Sequence, residues 1–340
     1  MTDLQWADLS NQAIAAAGVV YFLALIAYFA EWSSLRQVDR AREAARSSSY
    51  AGAGSVAVAT GPERPAVDEP RTDRVAMFGR LALLLLGIAN AVHFVGLVSR
   101  GMSADPNRVP WSNMYEFTIS GTFVVALIFL LVQRRWGLSW LGPIVVGFVL
   151  TLLMVSVIWL YDSTGPLPEA LNSPWLVIHV VSAVLATGAF TIGGMTSAVY
   201  LLKRRRAGKP ETGIWARVPS LDRLDLVSYR IHSFAFPIWT FAVLITGPIW
   251  AHQAWSSYWS WDPKEVWAFI TWVVYAAYLH ARTTAGWKGR NAAILALVGT
   301  ATLWFNFIGI NYFSTTSQHS YAGAVPAIST VAPAATTIGG

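Results

Sequence analysis

Cysteine is absent from all 340 residues. That excludes a disulfide scaffold, thiolate metal centres, thiol catalysis and thioether attachment of any group to the chain itself. Charge is scarce as well. Asp, Glu, Lys and Arg together make up 12% of the chain, about half the share of a soluble domain. A soluble surface on a chain this long needs more, so an ordinary cytosolic domain is excluded. The 55% of hydrophobic residues excludes a disordered chain too. No H-E-x-x-H pair, no glycine-rich phosphate loop and no internal repeat is found in the sequence. The charge that remains is basic, net +6. In a soluble protein that points to nucleic acid, but in a membrane protein it is first a signal of sidedness.

Long apolar runs are what the sequence has instead. Crossing the hydrocarbon core takes about 20 apolar residues in a helix. Eight stretches meet this, at about 12–31, 75–99, 115–133, 138–160, 175–202, 231–251, 264–281 and 291–313. The reading is an all-α polytopic membrane protein of about eight transmembrane helices. The first stretch has no basic flank before it and no small-residue cleavage site, so it reads as an anchor rather than a cleaved signal. With the spans alternating, 21 of the 24 Lys and Arg lie on one side, and only Arg100, Arg108 and Lys264 on the other. The positive-inside rule then puts both termini on the outer face. Four regions follow: an N-terminal anchor at 1–31, a flexible cytoplasmic linker rich in Ala, Gly, Ser and Pro at 32–74, a seven-helix core at 75–321, and a disordered outer tail at 322–340.

The connection between spans six and seven is the least generic part. Six of the 17 Trp fall in the 23 residues from Trp250 to Trp272. An interfacial aromatic belt accounts for one or two Trp per helix end. Trp255, Trp259 and Trp261, crowded through the connecting loop itself, fit a flat apolar ring better, because indole faces stack on such rings. Part of the motif is architectural. Asp262 is placed to cap span seven, Pro263 suits its first position and Glu265 closes a capping box. The same device recurs at Asn113 with Glu116, and Ser173 with Pro174 opens span five. Lys264 reads either as an interfacial snorkelling lysine or as a cation meeting an anionic ligand group.

There are six histidines, and ionisable residues in or beside spans are functional candidates. His179 sits about one turn below the outer end of span five and His319 just past the outer end of span eight, so both can flank the Trp loop. His280 follows Pro263 by 17 residues, about 25 Å deeper. His93, His232 and His252 read first as packing or hydrogen-bonding residues. Two neutral imidazoles on different helices, facing an aromatic slot, are what a bis-His haem site needs.

From about Leu81 to Gly323 the sequence resembles the CcsA/ResC family of System II cytochrome c biogenesis proteins, haem-handling membrane proteins with a WWD domain. The resemblance is carried by Pro110–Glu116, Leu221–Arg230, the Tyr258-Trp-Ser-Trp-Asp-Pro-Lys-Glu265 run, Tyr278–Arg282 and His319–Gly323. It implies a bacterial cytoplasmic-membrane protein that moves or presents haem b at the outer face. There, as part of a haem lyase complex, it supports thioether attachment to the Cys-x-x-Cys-His motif of an apocytochrome c. By resemblance, His179 and His319 match the outer-face ligands of the haem iron, and His280 matches the ligand deeper in the membrane. The second deep ligand then belongs to a ResB/Ccs1-type partner. Trp255, Trp259, Trp261, Asp262 and Lys264 form the rest of the expected haem site. Position 252 is His, where Asn is expected in many relatives, and His232 is a second possible ligand on the side of His280. The absent cysteine assigns the reacting thiols to the apocytochrome. Two competing readings are a bis-His haem b electron-transfer subunit, which needs paired histidines at both depths, and an aromatic-lined solute transporter without haem. Nucleic acid has no place in any of them.

Overall fold

The computed structural model describes residues 1–51, 69–164, 173–314 and 316–318. These form helices and connections only. In chain order the helices are α1 (Asp3–Ala51), α2 (Glu69–Met102), α3 (Met114–Trp136), α4 (Gly142–Trp159), α5 (Pro174–Arg205), the short α6 (Ile214–Arg217), α7 (Leu221–Thr240), α8 (Gly247–Trp255), α9 (Pro263–Thr283), α10 (Arg290–Trp304) and α11 (Ile310–Phe313). Two π-helical segments, Phe241–Thr246 and Phe305–Gly309, join α7 to α8 and α10 to α11. The result is eight long rods. Seven of them are long and apolar enough to cross a membrane. The eighth, α9, has 21 residues, about 31 Å at 1.5 Å per residue. Its Lys264, Glu265, His280 and Arg282 are gathered near its two ends. The eight predicted spans each fall on one rod. The linker assigned to 32–74 is helical at both margins, since α1 runs on to Ala51 and α2 starts at Glu69. The Ala-, Arg- and Glu-rich stretch after residue 35 consists largely of strong helix formers. The tail at 322–340 lies outside the described residues.

Local sequence explains four of the helix starts. The Asn113 side chain accepts from the Glu116 N–H, the Ser173 side chain from the Trp175 N–H, and the Ser220 side chain from the Arg223 N–H. Asp262 and Glu265 close a full capping box on α9. At Asn113 the box is not reciprocal, because the Glu116 carboxylate is used elsewhere. Arg100 Nε donates to Glu116 Oε1 at 2.9 Å and Arg108 Nη1 to Glu116 Oε2 at 2.8 Å, and Arg100 and Glu116 are almost wholly buried. Ser112 donates to the same carboxylate from its N–H and hydroxyl, and Arg100 Nη2 donates to the Asp162 carbonyl at 2.5 Å. This cluster pins the α2–α3 connection at the Trp-loop end of the bundle. At the opposite end, Arg282 grips Asp225 through two hydrogen bonds of 2.7 and 3.0 Å, and Asp225 also accepts from Gly289 N–H. That ties α7, α9 and the start of α10 together. Arg217 pairs with Glu31 and joins α6 to α1.

The core runs through α1–α5, α7, α9 and α10, with Phe190 and Tyr275 stacked at 3.8 Å between α5 and α9. Apolar side chains such as Phe22, Leu84, Leu131 and Ile245 face outward around the bundle. That is the exterior of a protein bathed in lipid rather than water.

Candidate functional site

At the Trp-loop end, α3, α4, α5, the end of α7 with its π turn, α8, the start of α9 and the end of α10 with its π turn enclose a large apolar cavity. It offers about 1440 Å3 of empty space counted into its open mouth. Trp239, Trp250, Trp259, Trp304, Phe117 and Phe148 supply much of its wall, with His179, Lys264, Glu265 and Asn306 as its polar members of most interest.

His179 is positioned by a backbone irregularity. Its Nδ1 lies 2.9 Å from the carbonyl oxygen of Ala242, within the first π segment. A carbonyl can only accept, so the contact makes Nδ1 the donor, and a neutral ring then carries its lone pair on Nε2. A backbone carbonyl behind a ligating imidazole is the usual way its tautomer and orientation are set. The same carbonyl accepts from Gly247 N–H and from Thr246 Oγ1 at 3.1 Å. The π turn widens the helix, and Pro237 and Pro248 flank it on either side. The imidazole stacks on Trp250, 6.0 Å between centroids and 12° between planes, and Trp250 meets Trp255 edge-on.

The predicted site residues separate into groups. His179, Trp259 and Lys264 line the cavity. Trp255 stands behind Trp250. Trp261 is 74% exposed, packs edge-on against Trp259 and adopts φ +60°. That left-handed conformation is unfavourable for a large side chain, and the N–H groups on either side of it, those of Ser260 and Asp262, both donate to Glu265 Oε2. Asp262 is buried beneath the loop. Its Oδ1 accepts from Lys264 N–H at 2.8 Å and Ser317 Oγ at 2.9 Å, and its Oδ2 from Gln318 N–H at 2.6 Å. It thus caps α9 and ties down the segment immediately before His319. His319 itself lies outside the described residues. Lys264 Nζ reaches Asn311 Oδ1 at 3.2 Å. Of the three basic residues at this end, Arg100 and Arg108 engage Glu116 and Lys264 faces the cavity.

His280 is elsewhere. It shares an exposed face of α9 with Phe269 and Val273, positions separated by 4 and 7 residues, which fall in one helical stripe. Tyr275 and Tyr278 lie on the opposite, buried face and stand against the fully buried His232 at 5.3 and 5.1 Å between ring centroids. His232 and His280 are thus on different sides of α9 and do not form a ligand pair. His232 Nδ1 lies 2.7 Å from the Ser228 carbonyl. His93 is buried beside Tyr21 and Phe123, and His252 stacks on Tyr258 at the surface.

Among the cavity residues that escaped the sequence reading are Phe117, Phe148, Trp239, Trp304 and Asn306. A signal for Asn306 was present, since it is the single polar residue in the run Leu303-Trp-Phe-Asn-Phe-Ile-Gly-Ile310.

The fold and site define a class: a polytopic helical membrane protein with an aromatic cavity and an oriented histidine at one end. Residues 111–317 match the family described as Cytochrome C assembly protein. The chain is 34% identical over 245 residues to the cytochrome c biogenesis protein CcsA of Chlamydomonas reinhardtii, covering 70% of this chain and 67% of that protein. It is 33% identical over 281 residues to CcsA of Synechococcus elongatus, covering 69% and 85%. The solved structure of the cytochrome c haem lyase CcmF shares the fold, with a TM-score of 0.57 at 16% identity over 91% of this chain. The chain spans 49% of that protein's length. This chain belongs to the cytochrome c assembly protein family.

Proposed function

We propose that this chain carries haem b as cargo into the aromatic cavity and presents it at the outer face of a bacterial cytoplasmic membrane. There, with a ResB/Ccs1-type partner, the haem is joined to the Cys-x-x-Cys-His motif of an apocytochrome c. The observation that carries the reading is His179: a cavity-lining imidazole whose Nδ1 is engaged by a backbone carbonyl, so that its ligating nitrogen is set by the fold. The indole walls suit the porphyrin faces and edges. His319, next to residues tied by Asp262, is the proposed second axial ligand, and Lys264 the proposed partner of a propionate. The outward-facing His280 is proposed as the deeper ligand, with the partner's histidine opposite it. The Trp-loop end is taken as the outer face because Lys264, Arg100 and Arg108 are the only basic residues there by the alternation of spans.

The chemistry asks for positioning rather than acid–base catalysis. A thiol adds across a haem vinyl group: sulfur bonds to one vinyl carbon, its hydrogen ends on the other, and the carbon–carbon double bond becomes single. No electron leaves the pair of reactants. The substrate histidine then replaces one protein imidazole on iron. An electron-transfer subunit would need a deep pair of histidines as well, and His232 and His280 stand on opposite sides of α9.

The test is co-purification with the partner. Bound haem with a six-coordinate bis-His spectrum is expected. His179→Ala combined with His319→Ala should remove the outer-site signal and abolish c-type cytochromes in the cell. Normal cytochrome c in that double variant overturns the proposal.

A further inference from the structure

Asn306 has no role in the reading so far. It sits in the π turn Phe305–Gly309, is 8% exposed and lines the cavity. Its Oδ1 is shut off from solvent and has no hydrogen-bond partner among the described residues. Most residues that line the cavity with it are apolar, among them Leu303, Trp304 and Phe307 on its own rod and Phe148 on α4. A buried amide oxygen left in such company is costly, because its hydrogen bonds to water are lost and nothing replaces them. Buried polar groups in folded proteins are almost always paired, and exceptions mark strain or function. The π turn adds to this, since single-turn π segments inside α-helices concentrate at functional sites. Here the extra residue of the wide turn accompanies a polar side chain among cavity-lining aromatics.

We propose that Asn306 is a ligand-binding residue whose amide donates a hydrogen bond to a carboxylate of the cargo. The inference rests on the reading of the cavity as a haem site. A haem ring offers few groups to an amide: its faces, methyls and vinyls are apolar, and its two propionates are acceptors. Only Oδ1 is sealed off without a partner, so the amide nitrogen is the side of the group left to offer N–H to a carboxylate, without moving the helix. Lys264 lines the same cavity and brings a positive charge. Lys264 attracts the carboxylate by charge, and Asn306 selects it by a directional bond. Together they decide which edge of the ring points into the wall and which edge, carrying the vinyls, faces the incoming thiols.

The experiment compares Asn306→Leu, Asn306→Ala and the unaltered chain, each purified with its partner. Each is stripped of haem and titrated with free-acid haem or with haem dimethyl ester, whose carboxylates are masked. A hydrogen bond to a charged acceptor corresponds to about ten- to a hundredfold in affinity. Asn306→Leu is expected to weaken free-acid haem by that factor and to leave the dimethyl ester within about twofold. It is also expected to raise the melting temperature of the haem-free protein, because an unpaired polar group is replaced by an apolar one of similar size. A residue that only supports the fold would lower it. Equal weakening of both haems, or no weakening of either, overturns the proposal while leaving the haem site in place. Failure of the unaltered chain to bind either haem, with no change on replacing His179, overturns the site reading and this inference with it.

Discussion

Asp262 shows how much one side chain of the Trp-rich motif does for the fold itself. As a cap it was legible, because Asp followed by Pro and then Glu three positions on is a helix-start pattern. Its second job was not legible. Ser317 and Gln318 follow it by 55 and 56 residues, and no local pattern links positions so far apart. Asp262→Ala removes a cap worth about 0.5–2 kcal/mol. It also leaves the Gln318 N–H and Ser317 hydroxyl without their acceptor. The detergent-purified variant is expected to melt several degrees lower and to lose haem from the outer site, the loss also expected of His319→Ala. Asp262→Asn, which keeps one acceptor, should fall between. An unchanged melting curve for Asp262→Ala would contradict the tie. Glu116 makes a related point: it was read as part of a helix cap, and its carboxylate holds two arginines instead.

Single elements were legible as rods but not in their irregularities. The sixth span reads as one apolar run at 231–251, and the structure has a rod there, α7 through α8. The π turn between them leaves almost no trace in hydrophobic periodicity, because one extra residue shifts an apolar stripe only slightly in a helix apolar all round. Pro237 and the Gly247-Pro248 pair were its only hints. Yet this turn sets His179. A Cβ added at Gly247 would lie 3.0 Å from the Ala242 carbonyl and 3.2 Å from His179 Cε1. Gly247→Val is therefore expected to displace the imidazole and break its bond to Ala242. The visible spectrum of bound haem should shift or vanish while far-ultraviolet circular dichroism stays helical, with Gly247→Ala milder. A normal haem spectrum in Gly247→Val would remove the π turn from the account of the site.

For the whole molecule, sidedness decides whether the cavity can meet a substrate outside the cell. The missing cysteines make the test clean, because a single introduced thiol has no background. Gln253→Cys, at an exposed position in α8, should react with a membrane-impermeant maleimide on intact spheroplasts. Ala207→Cys, in the exposed connection after α5, should react only after lysis. The reverse pattern would invert the topology and place the cavity on the wrong side for attachment to an exported cytochrome. The outward His280 belongs to the same scale: its face of α9 is apolar and exposed, and the proposed haem ligation there takes its second imidazole from a neighbouring molecule.

Composition, run length and charge placement were enough to define a membrane-spanning helical chain, its alternation and the special status of the Trp loop. These are local or summed properties, set by the thickness of a bilayer and the cost of charge within it. Helix caps were readable for the same reason, since each is completed within four residues. Which histidines share a space was decided only by tertiary packing. His179 meets Ala242 across 63 residues, His232 and His280 are parted by the facing of a single helix, and Asn306 reaches the cavity through a π turn. Such relations depend on the relative rotation of packed rods, and a helix apolar on every side carries no pattern that specifies that rotation.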